Sequence, residues 1–139
     1  MEYRELSRSE EYLLRLTNGA EWREEIETFA TEQNISAGWF MGMGAVQDAE
    51  IWYYDQTDLE YRSVHFDEPL EVASCVGNVS LLDEEVFAHT HAVLSRESGQ
   101  SIAGHLNKGT VFAGEVYIVT FDTPLERTHD QQTDLDLWL

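Results

Sequence analysis

Apolar residues at Trp22, Ile26, Phe29 and Ala30 fall on one stripe at helical spacing. The stripe predicts a helix over 21–33, with glutamates crowding its first turns, where the helix dipole favours them, and Asn34 ending it. Before it, short alternating stretches predict strands over 3–7 and 12–16. They flank the polar Arg8-Ser9-Glu10, and Asn18-Gly19 makes the turn into the helix. From Ala37 onward the period shortens to two. Residues 38–46 are apolar with repeated glycines, which predicts a buried strand carrying a bulge or a close backbone contact. Gly42-x-Gly44 lacks the full dinucleotide fingerprint and no helix follows it, so a phosphate loop is a poor reading. Further strands are predicted over 50–54, 60–66, 71–76, 77–82, 86–94, 100–106 and 110–121, with Asn107-Lys108-Gly109 as a tight connection between the last two.

After Pro124 the chain is polar until Leu135, Leu137, Trp138 and Leu139. So apolar an end is expected to dock on its own domain or on a neighbouring subunit. Many short strands and one good helix predict an α+β domain on an antiparallel sheet, a single unit spanning 1–139.

Composition narrows the class. With 139 residues, 42% of them hydrophobic, the chain has material for one real core. No apolar run reaches the roughly 20 residues of a membrane span. The start, Met1 to Glu5, has no basic region followed by an apolar stretch, so a cytoplasmic protein with no membrane partner is expected. The lone Cys75, inside an apolar run, is read as a buried and inert thiol.

Charge changes the picture more. The chain has 27 acidic residues against 8 Lys plus Arg, a formal charge of −19, and Lys108 is its one lysine. The acids are dispersed, a pattern that resembles adaptation to high salt in halophilic archaea. In about 1 M salt the Debye length falls to about 3 Å and such self-repulsion is screened. The same balance argues against direct DNA binding, because phosphate contacts need lysines and arginines.

The candidate chemistry lies in His89-Thr90-His91 and Gly104-His105. Histidines at i and i+2 share one face of a strand. Ser95 to Gln100 reads as a hairpin loop, and a hairpin centred near Glu97 and Ser98 sets position 91 opposite position 105. Opposed residues have Cβ atoms about 5 Å apart, so three imidazoles converge. That is the protein half of a His₃ metal site with an open fourth position; zinc ranks first, with copper, nickel and iron also suited. The competing reading is a hydrogen-bonded imidazole cluster at a subunit contact. Glu71 and Glu115 sit in strand segments, where carboxylates are unusual, and are candidates to support the ligands from behind. His65 and His129 are read as ordinary surface or structural histidines, and Trp39, Trp52, Tyr53 and Tyr54 as packing residues.

From about Gly42 to Phe121 the chain resembles the PPC domain (plants and prokaryotes conserved, also called DUF296). The resemblance rests on Gly42-Met43-Gly44-Ala45, Tyr54-Asp55, Pro69-Leu70-Glu71-Val72, Gly77-Asn78-Val79-Ser80, His89-Thr90-His91, Gly104-His105-Leu106, Gly109-Thr110-Val111 and Glu115-Val116, in order. It implies an α+β fold with an antiparallel, strongly bent sheet packed with one main N-terminal helix, assembled as a homotrimer. It also implies that His89, His91 and His105 hold a divalent metal, zinc first. The plant members carry basic AT-hook segments; nothing here matches one. The expected role is therefore a trimeric metal-binding module, regulatory and DNA-associated by family resemblance, that binds an unknown small ligand or protein partner. The alternative is a metal-dependent enzyme that uses metal-activated water on a small substrate, with Glu115 or Glu71 as proton acceptor.

Overall fold

The computed structural model describes residues 1–138. In chain order it contains β1 (Arg8–Leu16), α1 (Trp22–Glu32), β2 (Gly38–Asp55), β3 (Glu60–Phe66), β4 (Leu70–Leu82), β5 (Glu85–Ser95), β6 (Ser101–Phe121), β7 (Arg127–Asp130) and β8 (Leu135–Trp138). The first six strands form one antiparallel sheet in the order β1-β6-β5-β4-β2-β3. β2 and β6 also pair with each other, from Gly38 opposite Thr120 to Trp52 opposite His105. The ring β2-β4-β5-β6 therefore closes, which leaves few open edges for other chains. This is the expected α+β architecture with one helix.

The helix forms as its stripe predicts. Trp22, Ile26 and Ala30 are fully buried and share one core cluster with Phe40, Ala88, Leu106 and Val116 of the sheet. Its first turn is capped by Glu21, whose carboxylate accepts from the Glu24 amide at 2.8 Å and from the Gly109 amide at 3.1 Å. Asn34 follows the helix in the left-handed region (φ 56°). No helix among the described residues is long and apolar enough to cross a membrane.

Three expectations are corrected. Residues 3–7 form no strand; β1 instead takes in Arg8-Ser9-Glu10, reaching β6 through an irregularity between Arg8 and Glu11. An edge strand needs few apolar residues, so its polar start hid it. Asn107-Lys108-Gly109 is not a turn: β6 continues through it, pairing Lys108 with Glu50 and Gly109 with Ala49, with Asn107 the extra residue before Leu106 pairs with Ile51. β2 and β4 are likewise continuous where breaks between 46 and 50 and between 76 and 77 were expected. Bulges explain why the alternation seemed to stop. The β2–β6 register shifts at Val46/Ala49 and again at Glu50/Ile51.

Gly44 sits at one such irregularity with φ +153°, and a Cβ there would lie 2.1 Å from the Ala113 carbonyl oxygen. Close backbone approach, not phosphate binding, is its role. Cys75 is fully buried, and burial pushes its thiol up to about 12, as expected of an inert core residue. The C-terminal hairpin β7–β8 docks on the domain itself. Trp138 packs tilted against Trp39 at 6.4 Å, and the Tyr54 hydroxyl donates to the Thr133 carbonyl at 2.5 Å; Leu139 lies outside the described residues.

Candidate metal centre

The β5–β6 hairpin has the expected register: His91 lies opposite His105, and Ser95 opposite Ser101. His89 follows on the same face two residues away. The ring centroids are 5.1 Å apart for His89–His91, 5.1 Å for His89–His105 and 5.6 Å for His91–His105. One nitrogen from each lies within 4.8 Å of the other two. Tetrahedral ligands about 2.0–2.1 Å from a zinc ion are about 3.4 Å apart, so modest rotamer changes close the set.

The surroundings hold the three imidazoles neutral. Burial, with added repulsion from Arg127, His91 and Arg23, lowers His89 to about 4. Burial, then His89 and Arg23 among its charged neighbours, lowers His105 to about 3. His91, exposed at the outer edge, is also lowered by partial burial. Neutral imidazoles are the metal-binding form. The Nδ1 of His105 is buried with no hydrogen-bond partner. A buried ring nitrogen left unsatisfied costs free energy. The donor set, three neutral imidazoles with one nitrogen each within 4.8 Å of the others, fits a bound divalent metal.

A consequence can be measured. For three ordinary imidazoles with pKa about 6.5, proton competition would weaken binding about fiftyfold between pH 7.5 and 6.0. Here His89 and His105 take up protons only well below pH 6, so they add nothing to that loss. Zinc affinity by competition titration should fall by less than about fourfold over that interval. A fiftyfold fall would show that the rings titrate as if solvent-exposed.

Side chains from α1, β2, β3, β5 and β6 brace the ligands. Glu27 of α1 accepts from the Ala88 amide at 3.0 Å, fixing β5 beside His89, and pairs with Arg23 at 3.1 Å. Arg23 donates to the Asn107 side chain at 3.2 Å. Asn107 donates to Glu50 at 3.1 Å, and Glu50 also accepts from the Trp52 indole. Trp52, opposite His105 on β2, stacks on its ring at 5.8 Å with planes 22° apart, and Tyr61 of β3 tilts against it at 5.6 Å. Phe87 stacks on His89 at 6.3 Å. These rings and hairpin β7–β8 enclose a cavity of about 450 Å³ that opens onto His89 and His105.

Glu71 and Glu115 are not part of this centre. Both are exposed and line a separate cleft with Met43 and Phe112. Register explains the placement. Glu71 pairs with Ser95, five residues along β4 from Val76, which faces His91. Glu115 stands ten residues along β6 from His105, roughly 33 Å of strand. The structure brings up Glu50 and Glu27 in their place, along with Arg23 and Arg127. The signal for the arginines was their rarity in so acidic a chain. His65 lies exposed at 3.6 Å from Glu50, and His129 sits between Asp134 and Asp136 at 3.3 and 3.4 Å; neither joins the centre.

The fold and site together define a closed antiparallel α+β domain with a three-histidine pocket on one face. The Plants and Prokaryotes Conserved (PCC) domain model matches residues 3–122, and the chain belongs to that family. A crystal structure of a metal-containing protein from Archaeoglobus fulgidus superimposes with a TM-score of 0.95 at 40% identity, covering 100% of this chain and 99% of that one. A plant- and prokaryote-conserved (PPC) protein of Pyrococcus horikoshii gives 0.94 at 31% identity, covering 100% and 97%. Among curated proteins, bifunctional protein GlmU of a Synechococcus strain is 32% identical over 124 residues, 88% of this chain. The chain spans only 18% of that protein's length.

Proposed function

We propose that the protein is a homotrimeric metal-binding module in which His89, His91 and His105 hold one divalent cation, zinc first, and that ligand binding beside the metal serves regulation. The convergence of three neutral imidazoles, one nitrogen of each within 4.8 Å of the other two, carries this reading. The metal-containing Archaeoglobus relative supports it. A bound cation would supply a Lewis-acid centre with a free position. The chain itself orients the ligands through Glu27, Trp52 and Phe87 and holds their rings unprotonated.

Trimer formation is supported by the outer face of the sheet. Leu13, Tyr117, Met41 and Val76 lie side by side across β1, β6, β2 and β4, and the row ends at His91. Leu13 is 82% exposed, Met41 53% and Val76 40%. So apolar a row on so acidic a chain supports an interface there, which would put His91 beside the neighbouring subunit. With its −19 charge, any association with DNA would run through partners rather than direct phosphate contacts.

Protein purified in high salt without chelator should contain one divalent metal equivalent per chain and show, by light scattering, three times the 16.0 kDa chain mass. Met41→Lys should shift that mass toward the monomer. Absence of stoichiometric metal removes the central claim, and a wild-type monomer removes the trimer.

A further inference from the structure

Two guanidinium groups face the histidine pocket, although the whole chain holds only 8 cations against 27 acids. Arg23 and Arg127 each stand 5.2 Å from the centroid of the same ring, Phe87. Arg23 is compensated by Glu27. Arg127 is not paired with a carboxylate among the described residues. It donates to the Ser80 hydroxyl at 2.9 Å, the Asn78 side-chain oxygen at 2.6 Å and the Asp136 carbonyl at 2.8 Å, all neutral acceptors. Burial lowers its pKa, with Asp136 and Tyr61 opposing. The Nε of Arg23 is buried with no partner. Asp134 and Asp136 do line the mouth, but both side chains are exposed and engage His129.

Holding a guanidinium half-buried with no carboxylate in direct contact is costly. In a protein with this excess of carboxylates, a local partner would be easy to supply. The geometry points to a binding site for a small organic carboxylate. Its anionic end lies between the histidine centre and Arg127, with Arg23 alongside, and its apolar body packs against Trp52, Tyr61 and Phe87. The cavity of about 450 Å³ suits a ligand of that size. Guanidinium with carboxylate is the strong, directional pairing that such a site would use. This assignment rests on the metal reading for the position at the histidines but on the arginines for its charge selectivity.

The two dependences separate in one experiment. 4-Fluorobenzoate and its neutral amide, 4-fluorobenzamide, are titrated by ¹⁹F NMR into zinc-loaded protein, with bound zinc measured in every sample. The carboxylate should bind at least tenfold more tightly than the amide. Arg127→Gln should weaken it at least roughly tenfold, the scale of one lost charge-assisted hydrogen bond, while zinc stays at one equivalent. Arg23→Gln should weaken it as well and guards against misfolding of the first variant. Equal binding of the two probes, or a carboxylate affinity unchanged in both variants, overturns the proposal and leaves the metal reading intact. Inorganic phosphate competing more strongly than 4-fluorobenzoate would overturn the assignment of an apolar body. If wild-type protein takes up no zinc, the metal reading fails. The arginine variants measured on metal-free protein then still decide the carboxylate site.

Discussion

Replacing His105 with Ala should abolish tight metal binding. His105 is 7% exposed, contacts both other imidazoles, and is locked by Trp52 and Tyr61. Structural zinc sites bind with about 10–16 kcal/mol shared among four ligands, so removing one costs roughly 3 kcal/mol, a hundredfold or more in affinity. His91→Ala removes a ligand at the exposed edge and should produce a similar loss in affinity with less effect on folding. In the metal-free protein, His105→Ala should lower stability more than His91→Ala, because the ring it removes is buried and stacked on Trp52. Competition with a chromophoric chelator measures the first effect, and thermal melts with and without chelator measure the second. Unchanged zinc affinity in both variants would leave the cluster as an imidazole network without a metal.

Gly77→Ala should be the most damaging single methyl addition near the site. Gly77 lies on β4 opposite Phe40 on one side and Thr90 on the other. A Cβ there would stand 2.2 Å from Phe40 Cζ and 2.3 Å from the His89 carbonyl oxygen. The ring is fully buried and the carbonyl belongs to the β5 backbone, so neither can yield cheaply. Overpacking of this kind costs typically 1–3 kcal/mol, and with backbone in the way about 3 kcal/mol is expected. For a chain this long that lowers Tm by roughly 10 °C. Because the displaced backbone carries His89, zinc affinity should fall with stability. Gly109→Ala provides the comparison: its Cβ would stand 3.3 Å from a Val46 methyl and 3.7 Å from the Asp48 carbonyl oxygen and a Leu106 methyl, and its melt should move far less. Equal melting of the two variants would refute this close-packing account.

What could be read from the sequence followed from local periodicity. The helix was visible because Trp22, Ile26 and Ala30 obey one period over about two turns. The His91–His105 pairing was visible because a short loop fixes hairpin register. Bulges defeated the same reasoning in β2 and β6. An extra residue at 46–49 resets the alternation, so one bent strand looked like two. The edge strand β1 was half-missed because its outward positions are polar. The supporting residues were beyond reach for another reason. Arg23 comes from the helix, Trp52 and Tyr61 from β2 and β3, and Arg127 from the C-terminal hairpin. Only closure of the sheet brings these four to one pocket. Glu71 and Glu115 were chosen for being carboxylates in strands, which says nothing of which stretch of strand faces the ligands.

The exposed row ending at His91 and Arg127, which has no carboxylate partner among the described residues, both adjoin the same three imidazoles, so the proposed assembly, metal and ligand would meet at one place on this fold. The metal is the element on which the rest turns. Crystals grown from zinc-replete protein, with diffraction recorded on both sides of the zinc absorption edge, address it directly. The account predicts one anomalous peak per chain, about 2.0–2.1 Å from a nitrogen of each of His89, His91 and His105. A map with the imidazoles clustered and no peak between them, or with zinc bound only at surface carboxylates, would contradict it.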